Sequence, residues 1–185
     1  MEITLVRHGK PNIKKSGSVN AAGMQEWVSA YDASHISGSP GSAANTACQN
    51  SNFIVSSPLP RAISSLETLG VKPDLILNDL SEAQLPVFNV PTIKLSPALW
   101  LILFRLLWLA GASANIESYS DTKQRAKKVA DRLTALADEH DRVFSMGHGI
   151  MNKLISKELE RAGWRKVTDG KSDYWGTVRY ASSTC

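Results

Sequence analysis

Short apolar runs alternate with longer amphipathic segments along almost the whole chain, and few folds accommodate that alternation. The apolar runs predict β-strands at residues 3–6, 53–56, 75–77, 143–146 and 176–180. The amphipathic segments predict helices at residues 21–33, 60–69, 97–110, 120–140 and 150–162. Strand–helix alternation of this kind indicates an α/β domain with a largely parallel sheet between helices.

The segment at 120–140 gives the clearest helical pattern. Small and apolar residues recur there every three or four positions, and charged residues take the opposite face. The apolar stripe consists of Ala126, Val129, Ala130, Leu133, Leu136 and Ala137. Ser120 or Asp121 is the predicted N-cap, because both side chains can accept a hydrogen bond from the first helical turn. Gly163 is the predicted stop of the next helix, at 150–162.

Length and composition predict one globular domain over residues 1–185. The chain of 20.1 kDa is 43% hydrophobic and 21% charged, which excludes a disordered or fibrous protein. Its two cysteines, Cys48 and Cys185, are too few for a disulfide scaffold or a cysteine zinc site. The formal net charge of +4 favours anionic partners. The Gly- and Ser-rich stretch 34–52 is predicted to be a surface loop within this domain.

Membrane and nucleic-acid partners are not expected. No basic segment followed by an apolar one opens the chain, so a cytoplasmic location is expected. The apolar run at 99–109 has about half the length of a spanning helix, and Arg105 interrupts it. It therefore predicts a buried helix or an apolar flap. Basic pairs such as Lys127-Lys128 are interspersed with acids and lack aromatic neighbours, which is typical of solvated faces.

Chemically reactive side chains follow four of the predicted strands. Arg7 and His8 follow the first strand, Arg61 lies after the second, Glu82 lies after the third and His148 follows the fourth. Ligands of parallel sheets bind in the crevice beyond the carboxyl ends of the strands. The five side chains are therefore expected to converge on one site, although they are far apart in sequence.

The residue types at this predicted site favour phosphoryl chemistry. Two guanidiniums, those of Arg7 and Arg61, can each donate paired hydrogen bonds to the oxygens of a phosphoryl group. The neutral imidazole of His8 is a competent nucleophile, and His148, when protonated, would stabilise charge on the transferring group. A glutamate such as Glu82 can protonate a leaving oxygen and then deprotonate water.

The motifs around these residues resemble those of the histidine phosphatase superfamily, also called phosphoglycerate mutase-like. They read LVRHG at the first strand, SSPLPRA after the second, LSE in the middle and GHG near the end. The resemblance extends from residue 3 to residue 149. It implies a three-layer α/β/α sandwich with a mostly parallel central sheet.

The resemblance also implies a role for each of the five side chains. His8 would be the nucleophile that becomes phosphohistidine, and Glu82 would donate a proton and then act as the base. Arg7, Arg61 and His148 would bind the phosphoryl oxygens, and His148 would share in catalysis. The family needs no metal, and no cofactor is expected.

Two departures from the family pattern are informative. Ser65 stands where the family often has a threonine, and its hydroxyl is predicted to replace the threonine hydroxyl. Gly149 and Ile150 follow the second histidine, where the acid phosphatase and phytase branch usually places its acid. That branch is therefore disfavoured.

A metal-independent phosphomonoester hydrolase is the predicted function, acting on a small phosphorylated substrate or a phosphopeptide. Mutases of the family are usually longer, with an insertion that shields phosphohistidine from water, and this chain has room only for a modest one at 86–114. That segment predicts a helical cap beside the site, an ordinary packed helix or, if its apolar face is exposed, a partner-facing surface. A mutase-type phosphotransferase, a phosphohistidine-protein phosphatase and a non-catalytic phospho-ligand binding module are the alternatives.

Overall fold

A six-stranded sheet forms the centre of the computed structural model, which describes residues 1–13, 17–88, 90, 92–113, 116–168, 170 and 173–182. Its strands are β1 (Glu2–Arg7), β4 (Phe53–Ser56), β5 (Leu75–Ile76), β6 (Arg142–Gly147), β7 (Arg165–Lys166) and β8 (Thr177–Ala181). A separate ladder joins β2 (Lys10–Pro11) to β3 (Ile36–Ser37). The strand order is β5-β4-β6-β1-β8-β7, in which the first four strands run parallel and β8 and β7 are each antiparallel to the preceding strand.

Helices cover both faces of the sheet. The helices are α1 (Ala21–Asp32), α2 (Ser42–Gln49), α3 (Pro60–Thr68), α4 (Pro97–Leu109), α5 (Tyr119–His140) and α6 (Gly149–Arg161). Helices α2 and α3 cover one face and α5 and α6 the other, whereas α1 and α4 pack against each other in a separate cluster. Alternate strand residues point to opposite faces, so Ile3 and Leu5 of β1 pack with α5 and α6, whereas Val6 packs with α2 and α3. The predicted three-layer α/β/α sandwich is therefore confirmed.

The register of the parallel strands brings the ends of β1 and β6 to the same edge of the sheet. Arg7, the last residue of β1, pairs with Gly147, the last residue of β6. The backbone N–H of His8 then donates to the Gly147 carbonyl at 3.1 Å. On the other side of β6, the N–H of Ser57 donates to the Met146 carbonyl at 3.0 Å. This register sets His8, Ser57 and His148 side by side.

Helix α4 is apolar on both of its sides. Trp100, Phe104 and Trp108 are fully buried, and the two indole N–H groups donate to backbone carbonyls. The opposite side is exposed, with Leu106 at 59% of its accessible area. Residues 97–109 of this segment thus form a packed helix with an exposed apolar face. None of the helices in the described ranges has both the length and the apolar character that a membrane crossing requires.

The predicted elements are all present, with each end within one residue of its predicted position, but two interpretations were wrong. The stretch 34–52 is not simply a loop, because it contains α2 and β3. Ala44 and Cys48, one turn apart on α2, are buried against the sheet, and that packing stabilises a short helix whose polar composition is typical of a loop. The N-cap of α5 is Ser118, whose side chain accepts from the Asp121 N–H, so neither Ser120 nor Asp121 is the cap.

Candidate functional site

The two histidines predicted from the sequence lie in contact at the carboxyl edge of the sheet. The ring centroids of His8 and His148 are 5.0 Å apart, and neither side chain is more than 1% exposed. Arg7 and Arg61 lie near enough for their positive charges to lower the pKa of both rings. Glu82 joins the same edge through the first turn of α6. The structure therefore brings all five predicted side chains to one region.

A backbone hydrogen bond fixes the tautomer of His8. Its Nδ1 lies 2.7 Å from the carbonyl oxygen of Gly9, and because a carbonyl can only accept, Nδ1 holds the proton. The lone pair of Nε2 is then available for attack on an electrophile. Burial lowers the pKa of His8 to about 3, and the neighbouring charges of Arg61 and Arg7 act in the same direction. The ring is therefore neutral at physiological pH.

His148 is held by a hydroxyl group. Its Nε2 lies 2.7 Å from Ser57 Oγ, while Nδ1 has no hydrogen-bond partner among the residues that the structure describes. Burial, reinforced by the charge of Arg61, holds the pKa of His148 well below its usual range. The ring is therefore neutral at physiological pH. The causes are the complete burial of the ring and the guanidiniums that the sheet places around it.

Arg61 is fully buried and bonded on one side to the end of α1. Its Nη1 forms an ion pair of 2.9 Å with Asp32 Oδ1, and its guanidinium carbon lies 4.8 Å from the ring centroid of Tyr31. In the described part of the chain its Nε has no hydrogen-bond partner. Ser65 links α3, the helix that contains Arg61, to the loop that contains His8. Its Oγ accepts a hydrogen bond from Gly9 N–H at 2.9 Å and donates one to the Arg61 carbonyl at 2.6 Å.

Two tyrosines cover the arginine–histidine cluster. The ring of Tyr174 lies 4.3 Å from the guanidinium carbon of Arg7 and 5.7 Å from the ring of His8. Tyr174 also shares a hydrogen bond with Tyr31, and burial raises the pKa of Tyr31. Sequence reasoning did not identify Tyr31, Asp32 or Tyr174, because these residues reach the site through tertiary contacts and belong to no local motif.

The carboxylate of Glu82 occupies the N-terminus of α6. It accepts hydrogen bonds from the N–H groups of Ile150 at 3.2 Å and Met151 at 3.0 Å, and from that of Ala83 at 3.0 Å. Gly149 lies between the two side chains, because a Cβ there would be in van der Waals contact with both, 3.7 Å from Glu82 Oε2 and 3.4 Å from the Arg7 guanidinium carbon. The carboxylate of Glu82 and the guanidinium of Arg7 therefore lie on either side of Gly149.

Two further arginines hold the segment that contains Glu82. Arg105 donates to the carbonyl oxygens of Ala83 and Gln84, each at 3.1 Å. Arg125 donates to the carbonyls of Asp79 at 2.5 Å and Ser81 at 2.8 Å. Both lie on helices remote in sequence from Glu82, and the sequence analysis treated Arg105 only as an interruption of an apolar run. A charged residue inside an apolar run was the available signal that Arg105 makes hydrogen bonds within the protein.

Arg125 also forms a bidentate ion pair. Its Nε and Nη2 donate to the two carboxylate oxygens of Glu117 at 2.8 and 2.6 Å. Hydrogen bonding to Arg125 lowers the pKa of Glu117. Four of the five N–H groups of Arg125 are therefore used in bonds to Glu117, Asp79 and Ser81.

A cavity of about 570 Å³ borders this polar centre. Arg61 and Glu82 form the part of its wall that adjoins the histidines. The remaining wall combines polar residues, among them Asn78, Ser81 and Gln84, with an apolar part formed by Trp27, Val28, Leu59, Leu85 and Leu101. Within the described ranges no three histidine, cysteine or carboxylate side chains are grouped so as to hold a metal ion.

Comparison with known proteins identifies a family. A family model described as "Histidine phosphatase superfamily (branch 1)" matches residues 41–178. This range includes Arg61, Glu82 and His148 but begins after Arg7 and His8, which join the others through the pairing of β1 with β6. No curated protein sequence matches the chain.

Solved structures share the fold at low sequence identity. The protein TTHB049 of Thermus thermophilus is 18% identical with a TM-score of 0.57, over 97% of this chain and 92% of that one. A phosphoglycerate mutase from the same organism is 21% identical with a TM-score of 0.54, over 86% and 84% of the two chains. A phosphoserine phosphatase of Entamoeba histolytica, in complex with 3-phosphoglyceric acid, is 18% identical with a TM-score of 0.51, over 86% and 80%.

Proposed function

Because this chain belongs to the histidine phosphatase superfamily, we propose that it is a phosphomonoester hydrolase that forms a covalent phosphohistidine on His8. The observation that supports this most directly is the state of the His8 ring. Gly9 holds the proton on Nδ1, and burial keeps the ring neutral, so Nε2 presents a lone pair beside two guanidiniums. The proposed substrate is a small phosphorylated molecule.

The first proposed step transfers the phosphoryl group to the enzyme. Nε2 of His8 attacks phosphorus, and the bond between phosphorus and the ester oxygen breaks. Glu82 donates a proton to the departing oxygen. Arg7 and Arg61 neutralise the non-bridging oxygens, and the unpartnered Nε of Arg61 offers one of the required donors.

His148 fits the same step as a neutral donor. If Ser57 Oγ donates to Nε2, the ring proton lies on Nδ1, the atom without a partner in the described part of the chain. That N–H can bind a phosphoryl oxygen. A bound phosphate dianion would also oppose the charges of Arg7 and Arg61, which depress the pKa of His148 in the ligand-free state.

The second proposed step returns the enzyme to its starting state. Glu82, now a carboxylate, takes a proton from a water molecule as the water oxygen attacks phosphorus. The bond between phosphorus and His8 Nε2 breaks, inorganic phosphate leaves, and His8 is neutral again. Glu82 ends the cycle protonated, as the next first step requires.

Replacement of the nucleophile tests the proposal. We expect His8→Ala to abolish hydrolysis in a screen of phosphorylated sugars, glycerates, nucleotides and phosphopeptides without added metal. The wild-type protein mixed briefly with labelled substrate should yield an acid-labile phosphoenzyme that the His8→Ala variant lacks. His35→Ala is the matched control, because His35 is an exposed histidine outside the site. Full activity of the His8→Ala protein would refute the scheme.

A further inference from the structure

We infer that the cavity beside Glu82 binds the leaving group of the substrate and that this group is uncharged and largely apolar. The inference rests on the proposed function and adds to it a substrate class. That class is phosphate monoesters of neutral alcohols, as opposed to esters with a second anionic group such as phosphoglycerates.

The position of the cavity identifies what it would hold. Glu82 and Arg61 both line it, and they are the proposed proton donor to the leaving oxygen and a proposed ligand of the phosphoryl group. In the proposed reaction the ester oxygen lies between the carboxyl group of Glu82 and the guanidinium of Arg61. The rest of the alcohol therefore extends into the 570 Å³ of space beyond them.

The wall of the cavity favours an apolar occupant. Trp27 and Val28 of α1 lie on it together with Leu101 of α4, and Leu85 adds a further apolar side chain. Trp27 is stacked on Tyr31, with 5.3 Å between their centroids, which extends this surface to the phosphate site. Burial of apolar area in such a cavity stabilises binding in proportion to the area covered.

The cations of the cavity are already engaged by the protein. Among the described residues that line it, Arg61, Arg105 and Arg125 have positive charge. Arg105 donates to two backbone carbonyls and lies 4.7 Å from the ring of Trp108. Arg125 is held by Glu117 and two further carbonyls. Arg105 uses two of its five N–H groups in these bonds and Arg125 uses four, and the bonds fix both guanidiniums against the segment that positions Glu82.

Negative charge on the wall acts against a second anion. Asp32, Glu82 and Glu117 all line the cavity; Asp32 is ion-paired with Arg61 and Glu117 with Arg125, whereas Glu82 is bonded to backbone N–H groups. A carboxylate or second phosphate on the leaving group would lose part of its hydration here, meet arginines that are each already bonded to groups of the protein, and lie close to the carboxylate of Glu82. Burial of a charge without a partner is unfavourable, so such substrates should be rejected.

The test compares substrates that differ only in one remote charge. Benzyl phosphate and 4-carboxybenzyl phosphate have the same reacting atoms, and 4-carbamoylbenzyl phosphate controls for the added size. We expect kcat/KM for the carboxylate to be lower by about 100-fold than for benzyl phosphate, with the amide much closer to benzyl phosphate. Equal values for benzyl and carboxybenzyl esters, or faster turnover of 3-phosphoglycerate than of benzyl phosphate, would overturn the inference. Failure to hydrolyse any of these esters would count against the proposed function instead.

A variant supplies the reciprocal test. Leu101→Lys places an unengaged cation on the apolar wall, and Leu101→Met is the matched control of similar volume. We expect the lysine variant to raise the ratio of kcat/KM for 4-carboxybenzyl over benzyl phosphate by about tenfold or more relative to the methionine variant. An unchanged ratio in a folded lysine variant would contradict the assignment of this wall to the leaving group. The wild-type comparison stands independently of whether the lysine variant folds.

Discussion

Arg105 in α4 donates a hydrogen bond of 3.1 Å to the carbonyl oxygen of Ala83, the residue that directly follows Glu82. A second bond from the same guanidinium reaches the Gln84 carbonyl. The single charged residue of an otherwise apolar helix thus fixes the backbone on which the proposed proton donor lies. Helix α4 therefore contributes to the site without supplying a side chain to the proposed chemistry.

We expect Arg105→Leu to lower kcat by on the order of tenfold with little change in KM, because two charge-assisted hydrogen bonds to the Glu82 segment are lost. Arg105→Lys keeps the charge but cannot span both carbonyls, and it should recover part of kcat. Steady-state kinetics of both variants provide the measurement. Arg132→Leu, at an exposed position of α5, is the control. If Arg105→Leu lowers thermal stability but leaves kcat unchanged, Arg105 has a structural role and does not position Glu82.

His8 should make folding stability dependent on pH below neutrality. Its pKa is about 3 in the folded protein and 6.5 as an ordinary imidazole, so between these values the folded state binds fewer protons than the unfolded state. The contribution of the neutral His8 ring to the free energy of unfolding is fully present above pH 6.5. Below pH 6.5 it decreases with falling pH, by at most about 1.4 kcal/mol per pH unit for one such group.

Urea denaturation from pH 7 to pH 4 measures this effect. His148, whose pKa is also lowered, should add to the slope in the same direction. The variant His8→Asn should have a shallower dependence than the wild type, because one of the two titrating groups is gone. The idea fails if the two proteins lose stability in parallel over this range.

Ser65→Ala should destabilise the protein by about 1–3 kcal/mol, because the buried N–H of Gly9 loses its acceptor. The loop that contains His8 loses its link to α3 at the same time. Ser65→Thr retains the hydroxyl and should restore most of the loss. Chemical denaturation compares the two variants, and an alanine variant as stable as the wild type would show that water replaces the hydroxyl.

The two sides of α4 should respond very differently to substitution. Trp100→Ala removes a fully buried ring and should cost about 3–5 kcal/mol of unfolding free energy. Leu106→Gln, at a residue 59% exposed, should change it by no more than about 0.5 kcal/mol. Thermal and urea unfolding provide both values. A large loss for Leu106→Gln would mean that this face is covered in solution.

The sequence predicted the sheet and the longer helices well because their apolar periodicity is regular. The stripe on α5 that includes Val129 and Leu133 is one example, and both residues are buried as expected. The helix α2 was missed because its apolar surface is limited to small residues such as Ala44, and its order depends on packing against the sheet. Local pattern contains no information about that packing.

The candidate site was also predictable only in part, because some of its residues reach it through tertiary contacts. His8, Arg61 and His148 stand in local motifs at strand ends, so their convergence follows from a parallel sheet. Tyr174 and Asp32 reach the same place through contacts with Arg7 and Arg61 that only the folded chain defines. The neutral state of His148 could not be predicted from the sequence either, because it depends on burial of the ring and on the nearby guanidinium of Arg61.

The strand order has a consequence for synthesis of the protein. β1 is made first among the strands of the main sheet, yet its two neighbours are β6 and β8, which are made much later. Until they emerge from the ribosome, Ile3, Leu5 and Val6 have no sheet in which to be buried, and the edges of β1 have no partner strand. The nascent chain, more than the folded protein, is therefore the form most exposed to aggregation, and the two histidines meet only after β6 has been made.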